Sequence, residues 1–165
     1  MSTEIANSIS IGRVKFTELE RAIELVSQPS IEEEAKKTSG FKRTESEVRL
    51  ENMAIFRAYL DNPQYRVYVA RTPQEKVIGV MAVQIKRQGF HPKAPLCAFG
   101  SDLAVDPAYR RQGIARKMFH FLMDELRRAQ VEYFTFTVRK DNERALPLYL
   151  DEGCQITEYV MMKEL

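Results

Sequence analysis

The spacing of apolar and polar positions changes period several times along the chain. Ile9, Ile11 and Val14 lie in a short β-prone stretch and predict a first strand near 9–15. Thr17 then has the form of a helix N-cap, with Glu20 three residues on as its capping-box partner. Leu19, Ala22, Ile23 and Val26 follow at helical spacing, and Pro29 marks the expected stop. The polar, charged segment 29–43 reads as a loop with a helical turn. A second helix is expected from about 44 to 60, ending before the turn signal Asp61-Asn62-Pro63.

Strand-type patterning follows. Tyr65 to Arg71 is rich in Val and Tyr, Thr72 to Glu75 reads as a hairpin turn, and Lys76 to Lys86 is a longer β-type run. Gln88 to Pro95 holds one glycine and two prolines and is read as a loop, with another strand at Leu96 to Val105. Between Arg111 and Arg128 the positions Ile114, Met118, Leu122, Met123 and Leu126 share one face, which predicts an amphipathic helix. Tyr133 to Val138 is a continuous β-prone run, as for a buried strand. Asn142 to Glu152 reads as a helix with Gly153 as its stop, and Gln155 to Met162 as a last strand with Met161 and Met162 in the core. The order β-α-α-β-β-β-α-β-α-β, a meander followed by a β-α-β crossover, predicts an α/β fold (α+β mixed sheet), with helices on both faces of a central mixed sheet.

Composition narrows the function classes. The 165 residues fit one domain spanning 1–165, with 44% hydrophobic and 29% charged residues, as in ordinary globular proteins. Lys+Arg total 25 against 23 Asp+Glu, a net charge of +2, which argues against a dedicated nucleic-acid binder. Cys97 and Cys154 stand apart, with no CxxC pair or Cys/His cluster, so two reduced, buried thiols and no metal site are expected. Met1 to Ser10 has no basic start or apolar run, and the longest apolar or glycine run is Val77 to Val83, so neither a secretory signal nor a membrane helix is expected. These features suggest a cytoplasmic protein.

The segment Leu103-Ala104-Val105-Asp106-Pro107-Ala108-Tyr109-Arg110-Arg111-Gln112-Gly113-Ile114-Ala115 carries the candidate chemistry. It runs from a strand through a turn into a helix, whose first N–H groups lack partners and whose dipole end is positive, a good phosphate site. Gly113 and the small Ala115 let an anion approach the backbone, and Arg110 and Arg111 add charged donors. The segment is neither a Walker A loop nor a GxGxxG loop.

A second segment, Val138 to Cys154, makes the pattern specific. Val105-x-Pro107-x-Tyr109-Arg110 leading into Arg110-x-x-Gly113-x-Ala115, together with Val138, Asn142, Ala145, Leu148, Tyr149 and Gly153 in order, resembles the GNAT superfamily of N-acetyltransferases. Cys154 stands where that family usually has phenylalanine. The resemblance implies acetyl-CoA as co-substrate, without a metal, and an amine acceptor. It implies that backbone groups of the Leu103-Ala104-Val105 strand pair with the pantetheine arm. By the same likeness the N–H groups of Arg111, Gln112, Gly113, Ile114 and Ala115 hold the pyrophosphate beside Arg110, Asn142 contacts the CoA arm, and Tyr149 sits near the thioester sulfur.

For such a reaction a neutral amine attacks the thioester, a strand N–H stabilises the oxyanion, and a phenol can protonate the leaving thiolate. Tyr149 is the candidate acid. Asp102 is the candidate base, although some family members place an acid three residues earlier, at the position of Phe99, and strand alternation sets those two positions on opposite faces. His91, Glu47 and Glu51 are further candidates. Glu32-Glu33-Glu34 is read as a solvated face rather than an attractor for a cationic acceptor. Only Cys154 to Leu165 follow Gly153, room for one strand or two very short ones, so the acceptor wall is either missing, formed by residues 86–95, or supplied by a partner in a homodimer. The functional expectation is acetyl transfer from acetyl-CoA to a primary amine; the alternative is a non-catalytic CoA-binding regulatory module on the same fold.

Overall fold

A computed structural model describes residues 8–37, 42–89, 91, 93–139, 142–143, 145–159, 161 and 163. Its elements are β1 (Ser10–Arg13), a 3-10 turn (Phe16–Glu18), α1 (Leu19–Lys36), α2 (Glu45–Asp61), β2 (Tyr65–Arg71), β3 (Val77–Arg87), β4 (Leu96–Val105), a 3-10 turn (Pro107–Tyr109), α3 (Ile114–Arg128), β5 (Tyr133–Phe136) and α4 (Ala145–Asp151). The five strands form one sheet in the order β1-β2-β3-β4-β5. The first four are antiparallel and β5 joins β4 in parallel, so the sheet is mixed as expected.

Strand alternation divides the core into two layers. Val67, Val69, Val80, Ala82 and Ala104 face α1 and α2, where Leu19, Ala22, Ile23, Val26 and Phe56 cover them. Tyr68, Ala70, Met81, Val83 and Ala98 face α3, against Ile114, Met118, Leu122 and Leu126. α2 begins as expected: Thr44 accepts from the Glu47 N–H at 3.3 Å while Glu47 accepts from the Thr44 N–H at 2.7 Å.

Several expectations need correction. Pro29 does not stop α1, which runs on to Lys36 and absorbs much of the segment read as a loop. Tertiary contacts outweigh its missing donor: Asn52 of α2 donates to Ser27 Oγ at 3.0 Å, and buried Glu34 binds Lys37 and Arg43 at 2.8 and 2.6 Å. The entry cap is shifted: Glu18, not Glu20, accepts from the chain, at Lys15 N–H (2.6 Å), and Thr17 lies inside the 3-10 turn. Tyr133 to Val138 is a half-exposed strand that ends at Phe136, since among the described residues its outer edge has no neighbour to bury it.

Gln155 to Tyr159 form no strand and are exposed, and Met161 is exposed rather than core, because no described strand pairs with this stretch. Met162 lies outside the described residues. Both cysteines are free but half-buried rather than buried.

Candidate active site

The site grows from an irregularity in β4. Ala82 pairs with Asp102 and Val83 with Gly100, so Ser101 is an extra residue, a β-bulge. The bulge resets the alternation. Phe99 opposite Gln84 and Asp102 opposite Ala82 therefore lie on the same face, the one covered by α1 and α2, despite their odd separation. The expectation from simple alternation fails here, and the Gly100-Ser101 step inside a strand is the sequence sign of it.

The bulge also ends the pairing of β4 with β5. That ladder runs from Cys97–Tyr133 to Gly100–Phe136 and stops. Gly100 is needed there, since a Cβ would meet Phe134 at 2.8 Å. Beyond it the two strands part. The Asp106 N–H donates to Ile78 C=O at 2.8 Å, so Asp102, Ala104 and Asp106 turn their backbone groups to β3, while Leu103 and Val105 turn theirs to the side β5 has left. A cleft of about 220 Å³ opens between them, with Ser101, Asp102 and Leu103 on one wall and Thr137, Val138, Arg139, Asn142, Ala145 and Tyr149 on the other.

The candidate acid and base thus line the same cleft. Tyr149 packs on Phe136 (ring centroids 4.3 Å) and Phe119 (5.6 Å). Burial raises its phenol pKa, with nearby Cys154 adding to the effect, so the group stays protonated as a proton donor must. Burial pushes the Asp102 carboxyl up to about 6, and the Tyr59 hydroxyl partly offsets the rise. Such a carboxyl is ionised at neutral pH yet a stronger base than an exposed aspartate.

At the far end of the free edge lies the Arg110–Ala115 loop, which does not itself line the cleft. Asp106 is buried at its entry and caps the 3-10 turn, accepting from the Ala108 N–H at 2.9 Å. Arg21 of α1 binds its other oxygen, offsetting a negative charge that would repel an anion here. Arg110 Nε donates to the Val105 carbonyl at 3.0 Å. Arg111 (φ 59°) and Gly113 (φ 79°) are both left-handed, and Gly113 starts α3 without a side-chain cap. The first-turn N–H groups of α3 therefore have no side-chain cap. Gln112 Oε1 is buried without a partner. Ile114 is a core residue of the α3 face and offers the site only its backbone, whereas Ala104, a core residue of the α1/α2 face with its backbone groups turned to β3, offers it neither side chain nor backbone.

Other candidates fall elsewhere. Asn142 lines the cleft, but its Oδ1 accepts from the Ala145 N–H at 3.1 Å at the start of α4. Glu47 is held in the cap of α2, where hydrogen bonds from Thr44 lower its pKa. Glu51 pairs with Arg43. His91 is exposed, and its Nδ1 accepts from the Lys93 N–H at 3.1 Å. None of these three lines the cleft. The Glu32–Glu34 run is not simply solvated: Glu33 pairs with Arg139 of the cleft wall, and Glu34 is buried between Lys37 and Arg43. Sequence patterning missed Tyr59, Ser101 and Thr137. A strand glycine could have flagged the bulge, but nothing in the local pattern singles out Tyr59.

Among the described residues no helix is long and apolar enough to cross a membrane, and no group of three or more His, Cys, Asp or Glu could hold a metal.

The model of the Acetyltransferase (GNAT) family matches residues 29–153. The chain is 42% identical over 52 residues to the ribosomal protein bS18 alanine N-acetyltransferase of Escherichia coli K12, covering 32% of this chain and 35% of that protein. It is 31% identical over 112 residues to the catalytic subunit of the N-terminal acetyltransferase B complex of Arabidopsis thaliana, covering 67% of this chain and 62% of that protein. It therefore spans less than two thirds of either relative. A Clostridium acetobutylicum protein solved with acetyl-CoA, and assigned as an acetyltransferase by prediction, has the same fold, with TM-score 0.69, 15% identity and coverage of 94% of this chain and 96% of that one.

Proposed function

Because this chain belongs to the GNAT family of acetyltransferases, whose model matches residues 29–153, we propose that the β4–β5 cleft transfers the acetyl group of acetyl-CoA to a primary amine. The observation that carries the reading is that Asp102 and Tyr149 line one cleft, beside a stretch of β4 edge that no described strand pairs. Acetyl-CoA supplies an activated thioester carbonyl. Leu103 offers a backbone N–H and C=O toward the cleft, and Val105 an N–H, since its carbonyl already accepts from Arg110. An extended pantetheine arm fits such an edge as an added strand. The uncapped first turn of α3, with Arg111 and Gly113 left-handed before it, suits the pyrophosphate.

In the reaction Asp102 takes the proton from the attacking amine as the new C–N bond forms, a β4 backbone N–H donates to the carbonyl oxygen as it gains negative charge, and the Tyr149 O–H gives its proton to the sulfur as the C–S bond breaks. The Tyr149 phenolate then recovers a proton from solvent and Asp102 releases its own.

An α-amine is the acceptor easier to activate, because its ammonium (pKa about 8) gives up a proton more readily than a lysine-type ammonium (pKa about 10.4), whatever base receives it. The E. coli relative acts on an alanine and the Arabidopsis relative is an N-terminal acetyltransferase, which supports a peptide N-terminus. The test follows CoA thiol release with peptides, amino acids, aminoglycosides and polyamines. Turnover is expected on peptides with a free α-amine. Tight acetyl-CoA binding without turnover on any amine would favour a non-catalytic CoA-binding module.

A further inference from the structure

Tyr149 stands on a weakly anchored helix. Each of α1, α2 and α3 carries buried residues, whereas none of the seven residues of α4 is buried. A helix of that length does not hold itself in water. Two side chains three positions apart tie it to α3. Tyr149 packs its ring on Phe119, and Glu152, the residue after the helix, turns its carboxylate to Arg116 and His120. Glu152 Oε1 lies 2.8 Å from Arg116 Nε, its Oε2 lies 2.6 Å from His120 Nε2, and only 17% of its side chain is exposed. Facing a carboxylate oxygen, the imidazole Nε2 must carry the hydrogen. Arg116 Nη2 also donates to Asp151 Oδ2 at 3.1 Å. Arg116, Phe119 and His120 are three and four positions apart, so one side of α3 receives both Tyr149 and Glu152. The chain between these two is fixed as well. The N–H groups of Gly153 and Cys154 donate to the carbonyls of Leu150 and Tyr149, each at 3.0 Å, and Gly153 is left-handed (φ 81°).

We propose that Glu152 is a positioning residue for the transfer: clasped by Arg116 and His120, it docks α4 on α3 and so sets the Tyr149 hydroxyl at the cleft. The inference rests on the reading of Tyr149 as the acid. Glu152 does not line the cleft, so it acts through Tyr149. Ring packing is non-directional and lets a phenol slide over its neighbours. Charge-assisted hydrogen bonds are directional and stop that slide. Proton transfer to sulfur needs the hydroxyl within hydrogen-bond reach, and a displacement of about 1 Å costs up to roughly 10²-fold in rate. The clasp also gives the Arg116 side chain its task. It stands in the first turn of α3, beside the proposed pyrophosphate site, yet its guanidinium is turned to the two acids at the end of α4.

The experiment has two readouts on the full chain. Nuclear Overhauser contacts of the Tyr149 ring with Phe119 and Phe136 are measured in wild type and Glu152→Ala. The contact of Tyr68 with Phe121, elsewhere on α3, serves as the reference for an intact core. Glu152→Ala is expected to weaken the Tyr149 contacts and leave the reference unchanged. In steady-state kinetics it is expected to lower kcat roughly tenfold with the KM for acetyl-CoA little changed. In a Tyr149→Phe background it should lower kcat no further, because no hydroxyl remains to be misplaced. A merely structural role would multiply with the loss of Tyr149. Unmoved ring contacts, effects on kcat that multiply, or an unmoved kcat where Tyr149→Phe lowers it overturn the proposal. Weakened ring contacts with full turnover in Tyr149→Phe support Glu152 as the dock of α4 and count instead against Tyr149 as the acid. The reciprocal variant Arg116→Ala/His120→Ala removes partners that are 47% and 57% exposed, and it decides in the same way if Glu152→Ala does not fold.

Discussion

Arg21 Nη2 lies 2.5 Å from Asp106 Oδ2, joining the first turn of α1 to the end of β4 where the chain turns toward the proposed pyrophosphate loop. Arg21 also donates to the Val77 carbonyl at 3.4 Å, so one side chain ties helix, strand and loop together. Among the described residues, Arg21→Ala would leave buried Asp106 with Lys76 alone, at 3.9 Å, as an ion-pair partner. Breaking such a pair costs about 3–5 kcal/mol when both partners are buried, and partial exposure of Arg21 reduces this to roughly 1–3 kcal/mol. Chemical denaturation should show that loss, and calorimetry a weaker affinity for CoA, because Asp106 also fixes the Pro107–Tyr109 turn.

Gly113 has a left-handed backbone, and the proposed pyrophosphate site would also require space beside the N–H groups of α3. Gly113→Glu adds bulk and negative charge, and CoA binding should be lost in calorimetry. Gly113→Asn, whose side chain tolerates the left-handed region, should fold with at most about 1 kcal/mol of destabilisation. Unchanged CoA affinity in Gly113→Glu would reject the loop as the pyrophosphate site.

Tyr149→Phe keeps the ring that packs on Phe119 and Phe136 and removes only the O–H. Loss of a general acid typically lowers turnover by roughly 10²-fold or more. Steady-state kinetics should show that fall in kcat with acetyl-CoA affinity little changed. Equal turnover would remove Tyr149 as the acid.

Glu34 links pH to stability at the junction of α1 and α2. Hydrogen bonds from Lys37 and Arg43 hold its carboxyl down to about 2, against 4.5 for a free glutamate. The native state therefore binds that proton less readily than the unfolded chain. Its stabilisation is fully present above pH 4.5 and is lost as pH falls toward 2. Denaturation curves across that window should steepen in pH dependence for wild type relative to Glu34→Gln.

Strands β2 and β4 were legible to the residue because β-branched and aromatic runs there are closed by clear turn signals. The path from strand through turn into α3 was legible because Pro107 and Gly113 punctuate it. What was hidden depended on distant partners. Pro29 reads as a stop until Asn52 holds the helix at Ser27 before it and Arg43 holds it at Glu34 beyond it. Phe99 and Asp102 read as opposite until the Ser101 bulge puts them on one face. Gln155 to Tyr159 reads as the start of a β-type stretch yet pairs with no described neighbour.

The central claim is that acetyl-CoA lies along the free edge of β4 and ends at the α3 N-terminus. An amide NMR titration of the full chain with acetyl-CoA tests it directly. The largest shifts are expected on the amides of Leu103, Val105 and the first turn of α3 from Gly113 to Arg116, with Val67 and Val69 of β2 unmoved. Saturable binding that leaves Leu103 and Gly113 unperturbed, or no binding at all, would contradict it.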